Sequence, residues 1–214
     1  GYAGWDPEAK LPADRLVDTS AGFADRIIVS KEETHSHGPG DEHSHEATTA
    51  FTTWLDPQLA IAHADAIRDA LSARRPDAAA EFEAGFAALR DELEVLDRDF
   101  AEVFAELGDA PIVFSHPVYQ YLEKRYAING ASVHWEPDQV PGEGELMKFV
   151  NVLMNHPAKL MVWEGEAATE SVEAVAAMGV KSTALDPCGN RPETGDYMSV
   201  MQQNVLNLRG VIKP

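Results

Sequence analysis

The chain is short of basic side chains, cysteine and long apolar runs, and each shortage excludes a class of function. Lysine and arginine number 17 against 36 aspartates and glutamates, a net charge of −19. Nucleic acid and anionic membrane surfaces attract clustered positive charge, so neither is an expected partner. The single cysteine, Cys188, excludes an internal disulfide and any multi-cysteine metal cluster. No apolar run approaches the roughly 20 residues of a membrane span. No signal peptide is visible from Gly1 onward, as a mature or trimmed chain would show. Also missing are a GxGxxG or P-loop sequence after any strand pattern, a Gly-x-Ser-x-Gly elbow and a His-Glu-x-x-His helix. Nucleotide binding and the common hydrolase chemistries are therefore not indicated.

What is present is organised around residues 76–108. Phe82, Phe86, Leu89, Leu93, Leu96, Phe100, Phe104 and Leu107 recur at steps of three and four, one face of a helix. Pro76 suits its first turn and Gly108 its stop. Such a helix reaches roughly 45 Å, longer than a small domain is wide. A coiled-coil arm shows the same pattern, but only about four heptads are present and both flanks look globular. The expectation is a rigid helix linking two lobes, residues 1–75 and 109–214.

Before that helix, Arg15-Leu-Val-Asp and Arg26-Ile-Ile-Val-Ser each read as a short strand around a small helix at Ala21 to Asp25. Residues 31–50 read as a solvated loop, with no apolar residue from Lys31 to Glu46 and a Gly38-Pro39-Gly40 breaker. His35, His37, His43 and His45 lie in it beside Asp and Glu, a composition that binds metal ions loosely. A polar linker with incidental histidines is the plainer alternative. From Pro57 a helix is expected to about Ala73, with His63 structural or at the surface.

After Gly108, strand and helix patterns alternate four times. The strands are expected at Pro111–Ser115, Gly130–Trp135, Lys159–Trp163 and Val180–Leu185, which predicts an α/β lobe with a four-stranded parallel sheet. Ligands of such sheets bind beyond the carboxyl ends of the strands. Those ends carry His116; His134 and Glu136; Glu164; and Asp186. These are ligand types for Zn²⁺ or Mn²⁺. Singly, each is more often a helix cap or a satisfied polar group; together they mark a candidate metal site. Catalysis is a weaker reading, because Ser115 and His116 are neighbours on a strand and point to opposite faces.

Several segments carry a resemblance: the His-rich acidic loop, Trp54-Leu-Asp-Pro, the long helix, Phe114-Ser-His-Pro with Tyr119 and Tyr121, Val162-Trp-Glu, Leu185-Asp-Pro, and Asp196-Tyr-Met-Ser-Val-Met-Gln-Gln-Asn. In this order the chain resembles the periplasmic zinc and manganese binding proteins of ABC transporters, the ZnuA/TroA-like group. The resemblance implies two α/β lobes joined by one rigid helix with a metal between them, export to the periplasm and a membrane permease as partner. It implies an N-terminal lobe whose start, with the first histidine ligand, lies upstream of Gly1. His116 matches the third ligand, Asp186 the fourth and Glu164 a supporting glutamate. Thr52 stands where the family has its second histidine. His134 and Glu136 are not assigned by the family pattern.

The expectation is a monomeric, non-enzymatic solute-binding protein carrying Zn²⁺, favoured over Mn²⁺ by the histidines. A metal buffer working through the His-rich loop, and a receptor for a non-metal or chelated solute, are the alternatives.

Overall fold

The computed structural model describes residues 12, 15–29, 34–36, 42–44, 49–192 and 194–212. The first described helical element is a 3₁₀ turn at Ala21–Arg26 that buries Phe23. The two flanking segments expected as strands differ. Leu16 and Val17 are exposed, and the second segment contributes a single antiparallel bridge from Val29 to Thr49. An extended segment needs a ladder partner, and none stands beside Arg15–Asp18 among the described residues. Within the His-rich region, β1 (Thr34–Ser36) and β2 (Glu42–Ser44) form a short antiparallel pair instead of a featureless loop.

Order becomes continuous at a 3₁₀ turn, Thr53–Leu55, followed by α1 (Pro57–Arg74). The Asp56 carboxylate accepts from the Gln58 amide at 2.9 Å, and Pro57 sits at the first helical position, so the start of α1 is fixed twice. After a 3₁₀ turn at Pro76–Ala78 comes α2 (Ala79–Leu107), whose 29 residues span about 43 Å. Gly108, at φ 59°, ends it. The N-terminal half of α2 lies along α1, where the Arg68 guanidinium sits 4.9 Å from the centre of the Phe86 ring. Its C-terminal half buries Leu93, Leu96, Phe100, Val103 and Phe104.

The remainder is the expected α/β arrangement. The strands are β3 (Ile112–Phe114), β4 (Gly130–Ser132), β5 (Leu160–Trp163) and β6 (Lys181–Ala184), all parallel, in the order β4-β3-β5-β6. The helices are α3 (Gln120–Tyr126), α4 (Glu143–Asn155), α5 (Thr169–Ala177) and α6 (Tyr197–Ile212). Strand alternation divides the core in two. Ile112, Phe114, Leu160 and Val162 join Phe100, Phe104 and Leu208 on one face of the sheet. Val113, Met161 and Trp163 join Trp135, Phe149 and Val175 on the other. Both faces are covered, so the strand ends are where side chains meet solvent.

A buried polar knot ties α1, α2 and α3 together. Asp97 of α2 accepts from Arg125 Nε and Nη2 at 3.0 and 2.6 Å, from the Tyr126 hydroxyl at 2.9 Å and from Gln58 Nε2 at 2.8 Å. Burial pushes its carboxyl up, but these donors outweigh it and hold the group below the usual carboxylate range.

Candidate metal centre

Parallel register brings the strand ends side by side. Phe114 pairs with Ser132 on one flank and Val162 on the other. Carried two residues further, the same register sets His116 opposite His134 and opposite Glu164. Hydrogen bonds continue beyond the named strands, although the ladder becomes irregular after Ser115. The Val133 amide donates to Phe114 O at 2.9 Å, and the Trp135 amide donates to Ser115 O at 2.7 Å. On the far flank the Ser115 amide donates to Val162 O at 2.8 Å, and the Glu164 amide donates to Ser115 Oγ at 3.2 Å. Ser115 is completely buried by this role, which removes it from any nucleophilic one.

Val133 and Trp135 are buried in the core, so His134 and Glu136 face outward beside His116. The rings of His116 and His134 are 5.5 Å apart, centre to centre, and nearly perpendicular at 81°. Glu136 Oε1 lies 3.9 Å from His116 Nε2. His116 Nδ1 is buried, with no hydrogen-bond partner among the described residues. Of the expected residues, these three are brought together by the contacts named, with Glu164 opposite His116 on the other flank.

Asp186 is placed differently. It follows β6, two strands from β3, and its carboxylate accepts the Cys188 amide at 2.7 Å. The Asn204 side chain holds its backbone through both groups, at 2.9 and 2.8 Å. Burial, and then the nearby Asp186 charge, push the Cys188 thiol up to about 12, so in the metal-free protein it stays protonated at neutral pH. Among the described residues, no group of three or more His, Cys, Asp or Glu side chains is placed to hold a metal ion.

Thr52 is 1% exposed and donates its hydroxyl proton to Val118 O at 2.6 Å, two residues beyond His116. The position that the resemblance assigns to a histidine is thus filled by a strut. Other motif residues act similarly. Trp54 Nε1 donates to Pro187 O at 2.8 Å, Tyr197 OH donates to Trp54 O at 2.7 Å, and Tyr119 OH donates to Leu185 O at 2.6 Å. Tyr121 OH accepts from the Ile28 amide and donates to Ala50 O, both at 3.1 Å. Sequence reading marked these aromatics only as motif letters; their hydroxyl and indole groups lock the loops around the strand ends.

The remaining histidines separate cleanly. His63 is structural, its ring nitrogens meeting Thr53 Oγ1 at 2.9 Å and Thr19 Oγ1 at 2.8 Å, with burial holding it below the usual imidazole range. His156 meets Ile112 O at 2.9 Å. His35 stands directly opposite His43 in the β1–β2 register, while His37 and His45 lie outside the described residues. An apolar groove of about 390 Å³, lined by Trp54, His63, Ile67, Leu89, Leu93 and Tyr197 among others, runs between α1 and α2 and contains none of the expected ligands.

Comparison with known proteins adds an independent line. The family model for ZnuA, described as the periplasmic component A of the zinc-uptake complex, matches residues 3–211. The chain is 30% identical to a zinc-binding lipoprotein AdcA of Streptococcus pneumoniae over 96% of its own length and 43% of the relative's. It is 28% identical to a high-affinity zinc uptake system protein ZnuA of Brucella abortus, over 75% of this chain and 48% of that one. Among solved structures it resembles the Zn(II)-bound ZnuA-like domain of S. pneumoniae AdcA, with TM-score 0.68, 26% identity and coverage of 76% of this chain and 64% of that one. A metal-dependent lipoprotein YcdH from Bacillus subtilis shares the fold at TM-score 0.73 and 20% identity, over 91% of this chain and 69% of that one. The chain thus spans less than half the length of the curated relatives it matches.

Proposed function

The chain belongs to the ZnuA family of zinc-uptake components, and from that premise we propose that it is a solute-binding protein that captures Zn²⁺ outside the cytoplasmic membrane and hands it to an ABC permease. The observation that carries this reading is the clustering of His116, His134 and Glu136 at the carboxyl edge of a parallel sheet, where such folds hold ligands. Glu164 and Asp186 stand along the same edge. Imidazole suits Zn²⁺ better than Mn²⁺, and the relatives named above are zinc-binding or zinc-uptake proteins. Binding without turnover fits an edge whose one hydroxyl neighbour, Ser115, is sealed in the sheet. In this reading residues 1–75 and 109–214 are two lobes and α2 is a rigid link, so capture tilts them only slightly. The opposed His35 and His43 favour an accessory role for the hairpin, collecting ions near the mouth of the site.

The experiment is zinc titration against a competing chelator, using the full chain with His35, His37, His43 and His45 replaced by Ala. One tight site, weakened at least about 100-fold by His116→Ala, is expected. Binding that disappears with the loop histidines alone would make the protein a buffer. Binding untouched by His116→Ala would remove the sheet edge from the function.

A further inference from the structure

We propose, resting on the zinc-capture reading above, that Trp54 is a latch: it pins the turn Asp186–Cys188 and must let go before the strand ends close on an ion. The starting point is a disagreement between function and placement. The sheet edge carries His116, Glu164 and Asp186 on three strand ends. Yet among the described residues no group of three or more His, Cys, Asp or Glu side chains is placed to hold a metal ion. Capture at this edge therefore requires some of these side chains to move, because a zinc ion takes its ligands at little more than 2 Å.

Asp186 is restrained where it stands. Its carboxylate accepts the Cys188 amide at 2.7 Å, closing a turn in which Cys188 takes a left-handed φ of 53°. That conformation is strained for a residue with a branched-off side chain and persists only where the surroundings impose it. The imposing bond comes from outside the turn. Trp54 Nε1 donates to Pro187 O at 2.8 Å, joining positions 133 residues apart. Trp54 is itself held, its carbonyl accepting the Tyr197 hydroxyl at 2.7 Å from the start of α6. Two residues earlier, Thr52 is bonded to Val118 O just beyond His116. Residues 52–54 thus tie the loop after β3 to the turn after β6, with β5 standing between those two strands.

Freedom is distributed as a latch requires. Thr52 and Leu55 are buried, so the segment bearing Trp54 is a fixed post. Asn204 fixes the amide and the carbonyl of Asp186, so the turn pivots at that residue instead of sliding. The Asp186 side chain is exposed, and the turn beyond it is held by the indole bond and by its own bond to the Cys188 amide. Each is a single hydrogen bond, a bias of about fivefold in an equilibrium, which an ion that favours the released state overcomes readily. The apparent affinity is then the intrinsic one reduced by the fraction of molecules already released. Deleting a latch bond should accordingly tighten zinc binding. A bond that merely supports the fold or the site has no such effect.

The test measures zinc affinity in the same loop-histidine-free full chain and in its Trp54→Phe, Tyr197→Phe and Tyr119→Phe variants. Trp54→Phe should bind zinc about fivefold more tightly, and Tyr197→Phe should move in the same direction. Tyr119→Phe removes a comparable bond, to Leu185 O ahead of the turn, and should stay within about twofold. A second readout is the indole proton of Trp54, identified in nuclear magnetic resonance spectra by its loss in Trp54→Phe. It should exchange slowly with water in the metal-free chain and faster once zinc is bound. Binding unchanged or weakened in Trp54→Phe overturns the latch and leaves zinc capture intact, as does an indole proton equally protected with and without zinc. No zinc binding by any of the four proteins overturns both.

Discussion

Thr52 is a strut at the position where the resemblance implies a histidine. Its hydroxyl bridges the segment before α1 to the loop after His116, and its burial leaves no room for a side chain to swing out. Thr52→Val should lower stability by about 1 kcal/mol, the worth of one hydrogen bond, measured by urea unfolding. Asp97 matters more. Removing its carboxylate in Asp97→Ala leaves Arg125, Gln58 and Tyr126 without their common acceptor and should cost about 3 kcal/mol. Because the folded carboxyl is held below its unfolded value, the ionised form stabilises the fold above about pH 4, and this is lost as pH falls through the folded value. Asp56, held above the usual range by burial, acts in the opposite direction. Asp97→Asn should therefore flatten the acid limb of stability against pH. Position 52 could be flagged from the sequence as a missing histidine, but the bond that fills it joins residues 66 apart and left no local signal. The outward pairing of His134 with Glu136, by contrast, was legible in the Val-His-Trp-Glu alternation.

At the scale of elements, periodicity succeeded where an element buries its own stripe and failed where pairing decides. Leu93, Leu96 and Phe100 announced α2, and all three are at most 1% exposed. The central strands β3 and β5 were likewise legible as apolar runs, because they are covered on both faces, whereas the edge strands β4 (Gly-Ala-Ser) and β6 (Lys-Ser-Thr-Ala) are not such runs. Arg15–Asp18 was misread as a strand because its two adjacent apolar residues, Leu16 and Val17, are exposed and have no ladder partner among the described residues. The β1–β2 hairpin was missed because its residues are polar and only a cross-strand ladder defines it. The α2 start also shifted, from Pro76 to Ala79, since Pro76–Ala78 winds as 3₁₀. The two halves of α2 should respond differently to substitution. Phe100→Ala should cost about 3–5 kcal/mol of unfolding free energy. Leu89→Glu, at a residue 37% exposed, should change it by about 0.5 kcal/mol or less.

For the whole molecule, charge is the dominant setting. A net −19 on 214 residues repels itself, and many described ion pairs are local ones, such as Arg68 with Asp65 and Arg75 with Asp77, that do little to offset it. Raising sodium chloride from about 0.01 M to about 1 M shortens the screening length from about 30 Å to about 3 Å and should raise the melting temperature by several degrees. The same field concentrates cations around the sheet edge, so zinc association should slow as salt rises. Capture at His116 is the claim on which the rest depends, and anomalous diffraction at the zinc edge from zinc-loaded crystals tests it most directly. One strong peak about 2.1 Å from a ring nitrogen of His116 is expected. A peak confined to the hairpin histidines, or none beside His116, would contradict it.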